Sequence, residues 1–200
     1  YSKFLSFPVY SILYHALFFK IFNIYGFVIL SFLIIFIFFF LLISFFQKIG
    51  INIFYSALIA TIIFCLGNFI DYFNFDIAYY KAIGELYGLR IPRPSITHLY
   101  FFLFLLLLIT TKSADQFNIK KLSLIGATLA LMWGSFYYNL AISAVIFLFY
   151  YTYILISDKK LKISTFIKNL ITLGFFVILF SVPLLFILLK REPDYLVRVG

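Results

Sequence analysis

Charge is what this sequence has least of. Lys, Arg, Asp and Glu together supply 12% of 200 residues, about half the share found in an ordinary soluble domain. So few charges cannot clothe a water-facing surface. Acid is the scarcer sign, with seven Asp and Glu against 16 Lys and Arg and a net charge of +9. Cysteine is nearly absent too. Cys65 is the single one, and it lies in an apolar run, which excludes a disulfide framework or a cysteine-built metal site within this chain. Met132 is the single methionine and the chain opens at Tyr1, so the expectation is an interior piece of a longer product. No ionisable side chain falls deep in a clear apolar run, which counts against a proton-coupled transporter.

What is abundant is apolar and aromatic. Hydrophobic residues make up 65% of the chain, with 30 Phe and 16 Tyr. Phe suits a lipid-facing surface, and Tyr adds a phenol end that the headgroup zone accepts. Residues 27–46 carry no charge and nothing more polar than Ser31 and Ser44. As a helix they rise ~30 Å, the thickness of a bilayer core. Residues 51–70 repeat the pattern, and Gln47, Lys48, Ile49 and Gly50 are a connection short enough for a helical hairpin. Further runs lie at 95–111, 122–157 and 169–189. The first follows Pro92 and Pro94, which cannot continue a helix, and Ser95 is placed to cap it. The second is too long for one span, and the polar cluster Gly134, Ser135, Tyr137, Tyr138 and Asn139 divides it into 122–137 and 140–157. In the third, Pro183 should free the carbonyl of Leu179 and bend the helix. Residues 4–19 are short and hold Pro8 and His15, so they read as a thin first span or an interfacial helix. The expected fold class is all-α, a polytopic transmembrane helix bundle with about six to seven spans, as one transmembrane domain over 1–200.

Basic residues near span ends are retained in the cytoplasm. That places Lys48, Lys112, Lys120, Lys121, Lys159, Lys160, Lys162 and Lys168 inside, with Lys3 if the first run spans. Asp115 and Asp158 join them. Seven basic and five acidic residues are left outside. The basicity therefore follows from topology, and nucleic acid is not an expected partner, since no exposed stripe interleaves basic and aromatic residues.

Residues 71–94 are the one long connection. They hold three acids, three bases and two prolines. Tyr80, Ile83 and Tyr87 recur at helical spacing opposite Ala78, Lys81 and Glu85, the pattern of a short helix along the membrane surface. Asp76 is its expected N-cap and Gly88 its expected stop. Beyond it, Arg90 and Arg93 stand on a proline-stiffened segment just ahead of a helix start, an arrangement suited to a phosphate or to lipid headgroups. Asp71 and Asp76 read as caps or loop acids, or as a general base or ligands of a divalent cation in an extracytoplasmic cavity. His98 reads as an interfacial residue or a proton shuttle. Gly126, Ala130 and Gly134 recur every four residues, which marks a close helix contact.

A span ending at Asp71, a surface helix with Asp76 and Glu85, then Arg90 and Arg93 before many short-looped apolar helices: this arrangement resembles the polytopic GT-C-type membrane glycosyltransferases. The likeness covers about thirty residues and the general architecture. It implies a bacterial inner-membrane enzyme of envelope glycan biogenesis. A polyprenyl-phosphate sugar would be the donor, with Asp71 or Asp76 as catalytic base and Arg90 with Arg93 on the substrate phosphate. Adjacent paired acids, frequent in that group, are not present. The alternatives are a transporter or flippase for a lipid-linked or small polar substrate, or a non-catalytic membrane subunit. If the runs enter lipid, the expressed protein stays in the membrane pellet through an alkaline carbonate wash and leaves it only with detergent. Release by carbonate alone would refute a spanning chain.

Overall fold

The computed structural model of the chain describes residues 9–72, 95–113, 116–135, 137–157 and 163–189. They form seven helices and no strand. In chain order these are α1 (Val9–Phe22), α2 (Tyr25–Lys48), α3 (Ile53–Tyr72), α4 (Ser95–Ile109), α5 (Ile119–Trp133), α6 (Tyr137–Ser157) and α7 (Ile163–Leu189). Three stretches are long and apolar enough to cross a membrane: Tyr25–Lys48, Tyr138–Ser157 and Ile163–Phe186. Ile12–Phe22, Ile53–Cys65 and Ile96–Ile109 are shorter apolar helices. The architecture is all-α and consistent with a membrane helix bundle. The surface helix expected over 77–87 lies outside the described residues. Helix α7 runs unbroken through Pro183.

Two compact units emerge, Ser11–Leu106, and Leu107–Gly200 together with Tyr1–Tyr10. In the first, α2 and α3 form a hairpin. Helix α2 ends as Ile49 N–H donates to the carbonyl of Phe45 and Gly50 N–H to that of Gln47, at 3.2 and 3.1 Å. Gly50 takes φ +99°, a left-handed conformation open to glycine at little steric cost. Asn52 then caps α3, its Oδ1 accepting from the N–H groups of Phe54 and Tyr55 at 2.7 and 3.3 Å. The core of this unit is Phe38, Leu42 and Ala60, flanked by Phe64 and Phe102. Phe38 meets Phe64 edge-on at 5.3 Å and Phe102 at 5.3 Å. Pairing of Phe38 with His98 and of Phe45 with Phe102 sets α4 parallel to α2, while α3 returns antiparallel.

Helix α2 buries Gly26, Leu30, Ile34, Phe38 and Leu42, a stripe at every fourth residue. A Cβ on Gly26 would fall on the backbone of Phe18, so only glycine admits α1 there. The remaining face of α2 stays outside, with Phe32 64%, Phe36 51% and Phe40 51% exposed. In water such a row of phenyl rings would be an aggregation surface. In lipid it is simply matched to the solvent.

The second unit is built on α5. Asn118 caps it by accepting from the Lys121 N–H at 2.9 Å. Leu122, Ile125, Gly126, Thr128, Leu129, Ala130 and Met132 are buried, so this short helix is the unit's centre, packed by α6 and α7. An added Cβ at Gly126 would stand 2.7 Å from the Cβ of Phe176 and 3.3 Å from its backbone carbon. The helices meet there nearly backbone to backbone. Gly174, on α7, has nothing near it. Gly126→Ala should therefore cost about 1–3 kcal/mol through overpacking, while Gly174→Ala should be neutral or stabilise by about 0.4–1 kcal/mol. Thermal unfolding in detergent separates the two, and equal effects would contradict the packed contact.

Candidate functional site

The residues singled out by sequence fall unevenly on the structure. Asp71 is the penultimate residue of α3, and its side chain lies outside the described part. Asp76, Glu85, Arg90 and Arg93 lie outside the described residues altogether. His98 opens α4 and stacks on Phe38, with centroids 6.5 Å apart and planes 14° apart. That sets it, half-buried, against the core of the first unit. Among the described residues no three His, Cys, Asp or Glu gather to hold a metal ion.

The described geometry shows two polar ends in the second unit that sequence reading did not assemble. At one end, Tyr10 lies against Gly134, where a Cβ would fall on its ring. The Tyr10 N–H donates to the Gly134 carbonyl and its hydroxyl to the Phe180 carbonyl, each at 3.3 Å. Beside these contacts in sequence stand Ser135 and Ser181, both buried, with hydroxyls that find no hydrogen-bond partner among the described residues. Other hydroxyls of this unit satisfy themselves locally: Thr128 donates to the Ile125 carbonyl at 2.8 Å and Thr172 to that of Lys168 at 2.8 Å. The polar interruption at 134–139 was the one sequence signal for this end.

The other end gathers the C-terminus of α4, the start of α5, the second half of α6 and the start of α7. Lys121 Nζ donates to Thr110 Oγ1 at 2.7 Å. Tyr150 Oη donates to the Thr111 carbonyl at 2.7 Å, and Asn169 Nδ2 donates to Tyr151 Oη at 2.7 Å. Tyr151 is fully buried, stacked on Phe166 with 4.6 Å between centroids and also 4.6 Å from Phe117. Lys112 N–H donates to Gln116 Oε1 at 2.6 Å, closing the turn ahead of α5. Lys121 precedes the apolar run of α5, and partial burial holds its ammonium below the ordinary lysine pKa. Lys112, Lys120 and Lys168 are exposed. The tie is spread over residues 110 to 169, which is why no linear motif announces it.

Compared with protein-family models, curated proteins and solved structures, the chain matches none.

Loss of the Tyr151 hydroxyl leaves the Asn169 amide without its acceptor, so Tyr151→Phe should lower stability by about 0.5–1 kcal/mol. Ser181→Ala removes a hydroxyl that makes no hydrogen bond among the described residues, and should leave stability unchanged or raise it by up to about 1–3 kcal/mol. Melting curves in one detergent test both, and a destabilised Ser181→Ala would reveal a partner for that hydroxyl.

Proposed function

We propose that the chain is part of an integral membrane enzyme that transfers a sugar from a polyprenyl-phosphate carrier to an acceptor hydroxyl, with the 71–94 connection as its reactive segment. The observation that carries this reading is the direction of the helices. Helix α3 runs antiparallel to α2 and α4 parallel to it, as the pairs Phe38–Phe64, Phe38–His98 and Phe45–Phe102 require. The chain thus leaves at Tyr72 and returns at Ser95 at one end of the unit, the end opposite Lys48. Asp71 stands within a residue of that exit, and Arg90 and Arg93 come a few residues before the return. In this reading α2, α6 and α7 span the bilayer, the shorter α3 and α4 cross beside α2, and α5, expected from sequence as a span over 122–137, is a short central helix. At 14 residues, or ~21 Å, α1 is an interfacial or partly inserted helix.

In the proposed reaction the acceptor oxygen attacks the anomeric carbon, and its proton passes to the carboxylate of Asp71 or Asp76. The bond from that carbon to the phosphate oxygen breaks, and polyprenyl phosphate leaves. Arg90 and Arg93 offset the charge on the departing phosphate, a task for which the forked guanidinium is suited. A carboxylate base contributes roughly 10²–10⁴-fold in rate. In vesicles supplied with a polyprenyl-phosphate sugar and an acceptor, one of Asp71→Asn and Asp76→Asn should lower transfer by at least about 100-fold. Arg90→Gln and Arg93→Gln should raise the KM for the donor. Wild-type rates in all four variants would refute the assignment. Movement of intact donor across the bilayer without transfer would favour the flippase reading instead.

A further inference from the structure

The lysine-bearing end of the second unit is an interaction surface that the proposed reaction does not use. The contacts Lys121–Thr110, Tyr150–Thr111 and Tyr151–Asn169 bring the end of α4 and the starts of α5 and α7 to one end of the α5, α6 and α7 group, within the sequence segments 110–121 and 157–169. Those two segments carry seven lysines and two aspartates, Asp115 and Asp158, a net excess of five positive charges. The four described lysines, Lys112, Lys120, Lys121 and Lys168, sit on or near helix ends. Lys121 is tethered through its ammonium to Thr110, Lys120 follows the Asn118 cap, and Lys168 adjoins Asn169, which ties α7 to α6. Immediately beyond them the outer faces become apolar: Phe149 is 75% exposed, Tyr153 65% and Ile171 69%. Lysines at the end of a greasy wall match one kind of molecule, which carries an anion at one end and acyl chains at the other. A free anion would leave the wall unused, and a zwitterionic lipid would leave the charge uncompensated.

We propose that this end binds the phosphate-bearing headgroups of anionic phospholipids, with Lys112, Lys120, Lys121 and Lys168 as contacts and the adjoining α6 and α7 faces against the acyl chains. The inference needs the helices to lie in a membrane but not the glycosyl-transfer reading, and holds if that reading fails. Lysines near a membrane surface each add a several-fold preference for anionic lipid, weakened by salt.

The test is thermal stability of the full chain in a neutral detergent, titrated with phosphatidylglycerol, phosphatidylcholine or inorganic phosphate. Phosphatidylglycerol should raise Tm in a saturable manner that weakens in 0.5 M salt, while phosphatidylcholine and inorganic phosphate should not. The variant with Lys112, Lys120, Lys121 and Lys168 all changed to Gln should need at least about tenfold more phosphatidylglycerol, whereas the matching Lys→Arg variant should respond like wild type. Lys20→Gln, in the other unit, should also respond like wild type. If the Gln variant does not fold, the four single Lys→Gln variants replace it, and each should raise the midpoint several-fold. Equal stabilisation by phosphatidylcholine, an equal effect of inorganic phosphate, or an unchanged midpoint in the Gln variants would overturn the proposal.

Discussion

A backbone amide or carbonyl left unbonded in hydrocarbon costs several kcal/mol, and side chains this short of charge give the chain no aqueous surface on which to place one. Helices meet that demand segment by segment, and every described element is one. The constraint also explains the turns. Where α2 gives way to α3, the last carbonyls are taken by Ile49, Gly50 and Ile51 N–H groups, and the first amides of α3 by Asn52. Where α5 starts, Asn118 does the same for Lys121. Connections this short are possible because single residues, Gly50 at φ +99° and Asn23 at φ 54°, absorb the reversal that a longer loop would otherwise spread out.

With backbone bonding internal to each helix, what holds helices together is close contact and a few polar ties. There is little hydrophobic drive between helices once lipid replaces water, so van der Waals contact at short range has to supply the association. Gly126 against Phe176 and Gly26 against Phe18 are points of close helix approach that a side chain would obstruct. The Tyr150, Tyr151 and Lys121 hydrogen bonds then settle the rotation of α5, α6 and α7 about those contacts at one end, and Tyr10 at the other.

The two ends of the second unit differ in chemistry because they differ in what satisfies them. The lysine-bearing end pairs its polar groups directly and displays the remaining charge, a composition suited to a charged interface. At the opposite end Ser135 and Ser181 hold buried hydroxyls without a described partner. Both ends arise from residues far apart in the chain.

Helical class was legible from sequence because it depends on local composition. Twenty uncharged residues are oily in any context, and the polar cluster 134–139 does hold the break. The first helix ends at Trp133 and the next begins at Tyr137, so Tyr137, Tyr138 and Asn139 are helical and the division falls earlier than the expected 137/140. The spacing of Gly126, Ala130 and Gly134 also marked a face that is in fact packed. The candidate acids and arginines were named from sequence, and their side chains lie outside the described residues. Which stripe of α2 turns inward could not be read at all: Leu30, Ile34, Phe38 and Leu42 are no more apolar than Phe32, Phe36 and Phe40 beside them. Only tertiary contact with α1, α3 and α4 distinguishes the two sets, since a chain dissolved in lipid hides its apolar residues equally well on either face, and shape rather than hydrophobicity selects the buried one.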